Sequence, residues 1–175
     1  MSLANARIVE WWREMCPPPD SGDRGDRAGM ARLRRCATIV QAIQAPETIS
    51  LFRRSGGRTE DDLRDAGLAA AVLAHVRKDD PGPPVARRIG PDSTDKPETA
   101  KMKPLRFQRL LNADTPDERL TAFRRLIALA ENKVNVRDLT ESLLRWDDEK
   151  RRTRWVYDYW NAGQPAAPDI KETSP

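Results

Sequence analysis

Cysteine and histidine are nearly absent: Cys16, Cys36 and His75 are the whole supply in 175 residues. A lone Cys16–Cys36 bridge would stand unsupported, and a structural zinc site has neither a second cysteine pair nor a second histidine to draw on. Both cysteines read as small packing residues. Long apolar runs are missing as well. No stretch approaches the roughly 20 residues of a membrane span, and Met1 to Trp12 lacks the basic segment followed by an apolar one that marks a signal peptide. The expectation is a cytoplasmic protein with no membrane contact and no cofactor. Aromatics are 6% and hydrophobic residues 38%, below the usual 45–50% or so, while charged residues reach 33% against about 25%. A thin core and much polar surface follow.

Catalytic constellations are also scarce. Asp147-Asp148-Glu149 offers carboxylates for a metal nuclease, but consecutive helical residues point to different sides, and acids at a helix N-terminus explain them better. His75 lies in an alanine-rich stretch with no serine or cysteine nearby in sequence, which suits a half-buried packing residue better than a general base. Arg24-Gly25-Asp26 spells an adhesion tripeptide, a chance match in a chain without a secretion signal. There is no glycine-rich phosphate loop, zinc finger, basic zipper, aromatic RNA-binding platform or clear helix-turn-helix. The chain reads as non-enzymatic.

What is present is a series of amphipathic helices. Ala4 to Met15 places Ile8, Trp11, Trp12 and Met15 on one face, and Pro17-Pro18-Pro19 ends it. A second helix is expected from Asp26 to about Val40, a third over Pro46 to Arg54 stopped by Gly56-Gly57, and a fourth from Thr59 through Leu68 to Val76. Lys78 to Lys103, with prolines at 81, 83, 84, 91 and 97 and no apolar period, reads as a linker. Beyond it come helices over Pro104 to Asn112, from the Thr115-Pro116-x-Glu118 cap to Asn132, along the Val136, Leu139, Leu143, Trp146 stripe, and along Trp155, Val156, Tyr159 and Trp160. No strand stands out. The fold expected is all-α: a bundle over 1–77, a Pro-rich linker over 78–103, a second bundle over 104–160 and a disordered tail over 161–175.

Net charge is only +4, with a pI near 9.3, so the placing of charge matters more than its sum. Between Arg24 and Arg58 stand eight arginines and two acids, a local balance of +6. On a helical wheel Met30, Leu33, Ala37 and Val40 share one side, with Arg24, Arg27, Arg32, Arg34 and Arg35 spread over the other. A second basic stretch runs from Lys101 to Arg137, while acids gather at Glu60–Asp65 and Asp138–Glu149. Of 31 cationic residues, 24 are Arg, whose planar fork suits phosphate. A solvated helix face is the plain alternative for either stretch alone. Together they favour contact with nucleic-acid backbone without base readout.

The order of several motifs resembles the CasB family, the small subunit of the type I-E CRISPR surveillance complex Cascade. The resemblance runs from about Arg7 to Trp160, leaving out the linker. It rests on Trp11-Trp12, on Asp23-Arg24-Gly25-Asp26-Arg27-Ala28 leading to Leu33-Arg34-Arg35, and on the alanine-rich helix ending at His75. It continues through Arg106-Phe107-Gln108-Arg109-Leu110-Leu111, Leu120 to Arg124-Arg125-Leu126 and Ala130, Val134-Asn135-Val136, Leu143-Leu144-Arg145-Trp146 and Trp155-Val156-Tyr157-Asp158-Tyr159. It implies a non-catalytic subunit, present in two copies beside the backbone subunit CasC and the large subunit CasA, that binds crRNA and target DNA. Its inferred role is to hold the displaced non-target strand of the R-loop. The residues expected to meet nucleic acid are Arg24, Arg27, Arg34, Arg35, Arg53, Arg54, Arg106, Arg109, Lys150, Arg151 and Arg152, the last three beside acids able to pair with them. The rival readings are a helical protein–protein adaptor and a stand-alone DNA-binding regulator.

Overall fold

Hydrophobic spacing and capping residues account for most of the helices in the computed structural model, which describes residues 3–165. Ten α-helices occur among them: α1 (Asn5–Met15), α2 (Arg27–Arg34), α3 (Ile39–Ile43), α4 (Pro46–Arg54), α5 (Glu60–Leu73), α6 (Val85–Ile89), α7 (Pro104–Leu111), α8 (Pro116–Leu129), α9 (Val136–Leu144) and α10 (Glu149–Tyr159). Thr59 with Asp62 and Thr115 with Glu118 close reciprocal capping boxes at α5 and α8. The protein is all-α apart from one short parallel bridge between β1 (Lys78–Asp79) and β2 (Lys133–Val134). Two residues a side are too few to show an alternating pattern in sequence.

The core is organised around α5. Every residue from Ala66 to Ala74 is buried, and the helix packs against α2, α3 and α4 on the N-terminal side and α8 and α9 on the C-terminal side. Alanines at 66, 69, 70, 71 and 74 permit that crowding, because a methyl group keeps neighbouring helices close. α1 packs against α4 and α9. Helices from both expected bundles therefore share one contiguous core, which runs from Leu3 to Tyr159. At its C-terminal end Phe123, Trp146 and Trp155 meet edge to face at 5.0–5.8 Å, and the Trp155 indole donates to Ser142 Oγ at 2.8 Å. Phe107 stacks on Tyr159, whose hydroxyl donates to the Met102 carbonyl at 2.6 Å.

The structure corrects three expectations. First, Lys78–Lys103 is built into the core. It contributes β1, α6 and buried Val85, Ile89, Ala100 and Met102, and Arg87 donates to the Tyr159 carbonyl at 2.9 Å. A Cβ at Gly90 would strike that same carbonyl, so glycine lets α6 lie directly on α10. Second, the helix expected to reach Val40 stops at Arg34. Thr38 caps a new helix, the Ile39 N–H donates to Asp117 Oδ1 at 2.8 Å, and Cys36 and Ile39 are buried instead of Ala37 and Val40. Third, Val156 lies on the exposed side of α10. Of the expected tail, 161–165 form turns, and 166–175 lie outside the described residues.

Placement of α6 in the core is testable. Ile89→Ala should lower stability by about 2–4 kcal/mol in urea denaturation, the usual range for truncating a fully buried aliphatic side chain. An unchanged midpoint would restore the linker.

Candidate nucleic-acid interface

Capping and burial aim the arginines of α2. Asp26 accepts the Gly29 N–H at 2.8 Å, and Met30 and Leu33 turn inward. Gly29 looks like a helix breaker in sequence, but a Cβ there would collide with the Asp26 carboxylate and press on Glu47. Its smallness keeps both acids close to α2. Glu47, on α4, pairs with Arg32, and that hydrogen bond holds its carboxyl below the usual range. Arg24, Arg27 and Arg35 are exposed and have no ion-pair partner among the described residues. Arg34 is half-buried and donates to the Ala74 carbonyl at 3.1 Å. Burial lowers its pKa first, and the nearby charges of Arg77 and Arg35 add to that.

On α4, Arg53 is exposed, whereas Arg54 donates from two nitrogens to Glu14 at 2.6 and 2.7 Å. Arg54 is therefore paired rather than free for phosphate.

α7 and α8 frame a groove of about 1170 Å³ with Arg106, Arg109 and Arg125 on its walls and Leu110, Ala122 and Leu129 in its apolar lining. Asp117 and Glu118 also border it, but both are occupied with backbone. Asp117 receives the Ile39 N–H, and Glu118 receives those of Thr115 and Asp114, which hold its carboxyl low. Successive helical residues diverge by about 100°, so α8 turns Arg125 to this groove and Arg124 toward the connection that follows α2, where it donates to the Cys36 carbonyl at 3.5 Å. Arg124, Arg125 and Arg77 were missing from the residues expected at the site. The double arginine in α8 was visible in sequence, but nothing local tied it to α2.

The third expected group divides. Lys150 is exposed and Arg152 half-buried. Arg151 does not belong to a surface: its side chain is only 15% exposed, and it donates to Asp138 Oδ1 at 2.6 Å and to Ser142 Oγ at 2.8 Å. The neighbouring acids are structural too. Asp147 pairs with Arg119, which is itself buried, and Asp148 caps α10. Among the described residues, no three His, Cys, Asp or Glu side chains gather as a metal site.

A family model for CRISPR-associated protein Cse2 matches residues 29–160. The chain belongs to the Cse2 family. Cse2 is the small subunit of type I-E Cascade, also called CasB. The Cse2 match takes in Lys78–Lys103, in keeping with its burial, and leaves Arg24 and Arg27 just outside. A crystal structure of a Cse2-family CRISPR-associated protein from Thermus thermophilus shares the fold, with a TM-score of 0.66, 23% identity, and coverage of 91% of this chain and 99% of that one. Comparison with curated proteins gives no match. Among the described residues, no helix is long and apolar enough to cross a membrane.

The contrast between Arg151 and the groove arginines has a measurable consequence. Arg151→Ala should cost about 2–3 kcal/mol by leaving Asp138 half-buried without its partner, while Arg106→Ala should stay within about 0.5 kcal/mol. Equal midpoints in urea would contradict this division.

Proposed function

We propose that this Cse2-family chain is a non-catalytic Cascade subunit that holds nucleic-acid backbone without reading bases and stabilises the R-loop through the displaced non-target strand. The observation that carries the proposal is how the arginines are divided. Arg32, Arg54, Arg119 and Arg151 are matched to acids, whereas Arg27, Arg35, Arg53, Arg106, Arg109 and Arg125 have no ion pair among the described residues. Acids beside the groove are occupied by backbone N–H groups and compete little for a phosphate. The track we propose passes from Arg35 across Arg124 and Arg125 of α8 to Arg106 and Arg109 of α7. Its partners are crRNA, target DNA, the CasC and CasA subunits and a second copy of itself, in the cytoplasm.

Modest contacts suffice for this role. Exchanging a DNA duplex for an RNA–DNA hybrid is close to balanced in energy, so a few phosphate contacts can decide how far the R-loop opens. Every target differs, so the contacts must ignore sequence.

Replacing Arg106 and Arg109 together by Ala should weaken capture by similar factors for unrelated protospacers. It should also reduce the slope of log affinity against log salt by about 1.4, at about 0.7 per single-strand phosphate contact. R-loop yield in complexes checked for full subunit content, at several salt concentrations, measures both. A defect confined to one target would indicate base readout. Loss of the subunit from the complex would assign the pair to a protein interface, as the adaptor alternative requires.

A further inference from the structure

Positive charge converges where α5 ends. Arg34 arrives from α2, Arg124 from α8, and Arg77 follows α5 directly; all three act electrostatically on His75, and Arg34 also feels Arg35. No carboxylate is among the charged groups that act on His75. Glu47, the acid felt by neighbouring Cys36, is already paired with Arg32. Arg34 and Arg124 each donate from Nη1 to a backbone carbonyl, of Ala74 and Cys36, and the Cys16 thiol donates to the carbonyl of Arg77 at 3.9 Å. His75 is half-buried, with Nε2 fully enclosed and without a hydrogen-bond partner among the described residues.

Complementing the negative end of α5 accounts for Arg34. It does not account for two further arginines beside it, or for a buried imidazole nitrogen left unpaired, since like charges gathered without a counter-ion cost stability. Such an arrangement suits an anion that arrives from outside. The two carbonyl bonds use one nitrogen of Arg34 and one of Arg124, and every guanidinium keeps further N–H donors.

We propose that this cluster at the end of α5 is an oxyanion subsite that seats one phosphate of the bound strand, with Arg34, Arg77 and Arg124 as its donors and His75 taking up a proton as the phosphate enters. It rests on the nucleic-acid reading above and adds to it a fixed anchoring point and a coupling to pH. In the free protein burial, and then the charges of Arg124, Arg34 and Arg77, push His75 from 6.5 down to about 4. The unfolded chain binds that proton more readily, so this residue lowers stability as the pH falls from about 6.5 toward 4. A phosphate anion reverses the local field and favours the imidazolium, so by linkage phosphate binds more tightly as the pH falls.

His75 is the only histidine, so its ring C–H signals in a proton NMR titration report on this cluster directly. The full chain would be titrated alone, with inorganic phosphate and with oligothymidylate. We expect the His75 midpoint to rise by at least one pH unit with oligothymidylate, about tenfold in proton affinity, and by less with inorganic phosphate. Oligothymidylate affinity should rise between pH 7 and pH 5 by an increment that His75→Gln removes. That variant is needed because Asp65, pushed up to about 6 by burial and neighbouring acids, titrates in the same window. Arg124→Lys, which keeps the charge but loses the fork, should reduce the midpoint shift and checks that the effect does not reflect unfolding. Oligothymidylate binding with an unmoved His75 midpoint would overturn the subsite and leave the strand track standing. A response to inorganic phosphate but not to oligothymidylate would reassign the cluster to a free anion and overturn its role on the strand. No oligothymidylate binding at any pH would overturn both.

Discussion

Burial of α5 from Ala66 onward is the constraint from which the rest follows. Nine consecutive buried residues, Ala66 to Ala74, leave no polar face along that stretch, so each neighbour must present an apolar stripe to it and send its charge outward. α2, α3 and α4 cover one side of it, α8 and α9 the other. Arg34 of α2 and Arg124 of α8 accordingly sit at the margin of α5 and meet near its C-terminal end, at His75. A site made of residues 34, 77 and 124 is assembled by the packing of one apolar helix, with no local motif behind it.

That explains which parts could be read in advance. Caps are local, so Thr59, Thr115 and the boundaries of α4 and α8 were legible to within a few residues. The stripes of α1 and α9 were legible because period 3.6 survives over two turns or more. α6 was not: five residues show no period, and its stability comes from α10 through Gly90 and Arg87, some 70 residues away. Val40 misled for a similar reason. The wheel was drawn through a break that depends on Asp117, 78 residues from Ile39.

At the surface, sequence showed where arginines were abundant but not which were free. Arg54 is neutralised by Glu14, 40 residues earlier, and Arg151 by Asp138, 13 residues earlier on a different helix. Arg24, Arg27, Arg35, Arg53, Arg106 and Arg109 are exposed, as their positions opposite or beyond the apolar residues Met30, Leu33, Leu51, Phe107 and Leu110 require. Arg124 and Arg125 entered only through tertiary placement, one on each flank of the same helix.

The small net charge and the many arginines are two sides of one arrangement. A strand track needs concentrated positive charge, yet repulsion within it works against folding. Here acids offset the charge of several arginines, as at Arg32, Arg119 and Arg151, and other acids that border the groove are occupied by backbone N–H groups. Many of the guanidinium groups without an ion pair are thereby gathered on or beside α2, α7, α8 and the end of α5, with others, Arg53 on α4 among them, outside that group. Arginine rather than lysine suits that gathering. Its charge cannot be shed by desolvation, and its fork allows Arg34 and Arg124 to bond a backbone carbonyl while keeping donors for a phosphate. A lysine at either position would hold its charge as a compact, strongly hydrated ammonium without that geometry, leaving carbonyl and anion to compete for the same three protons.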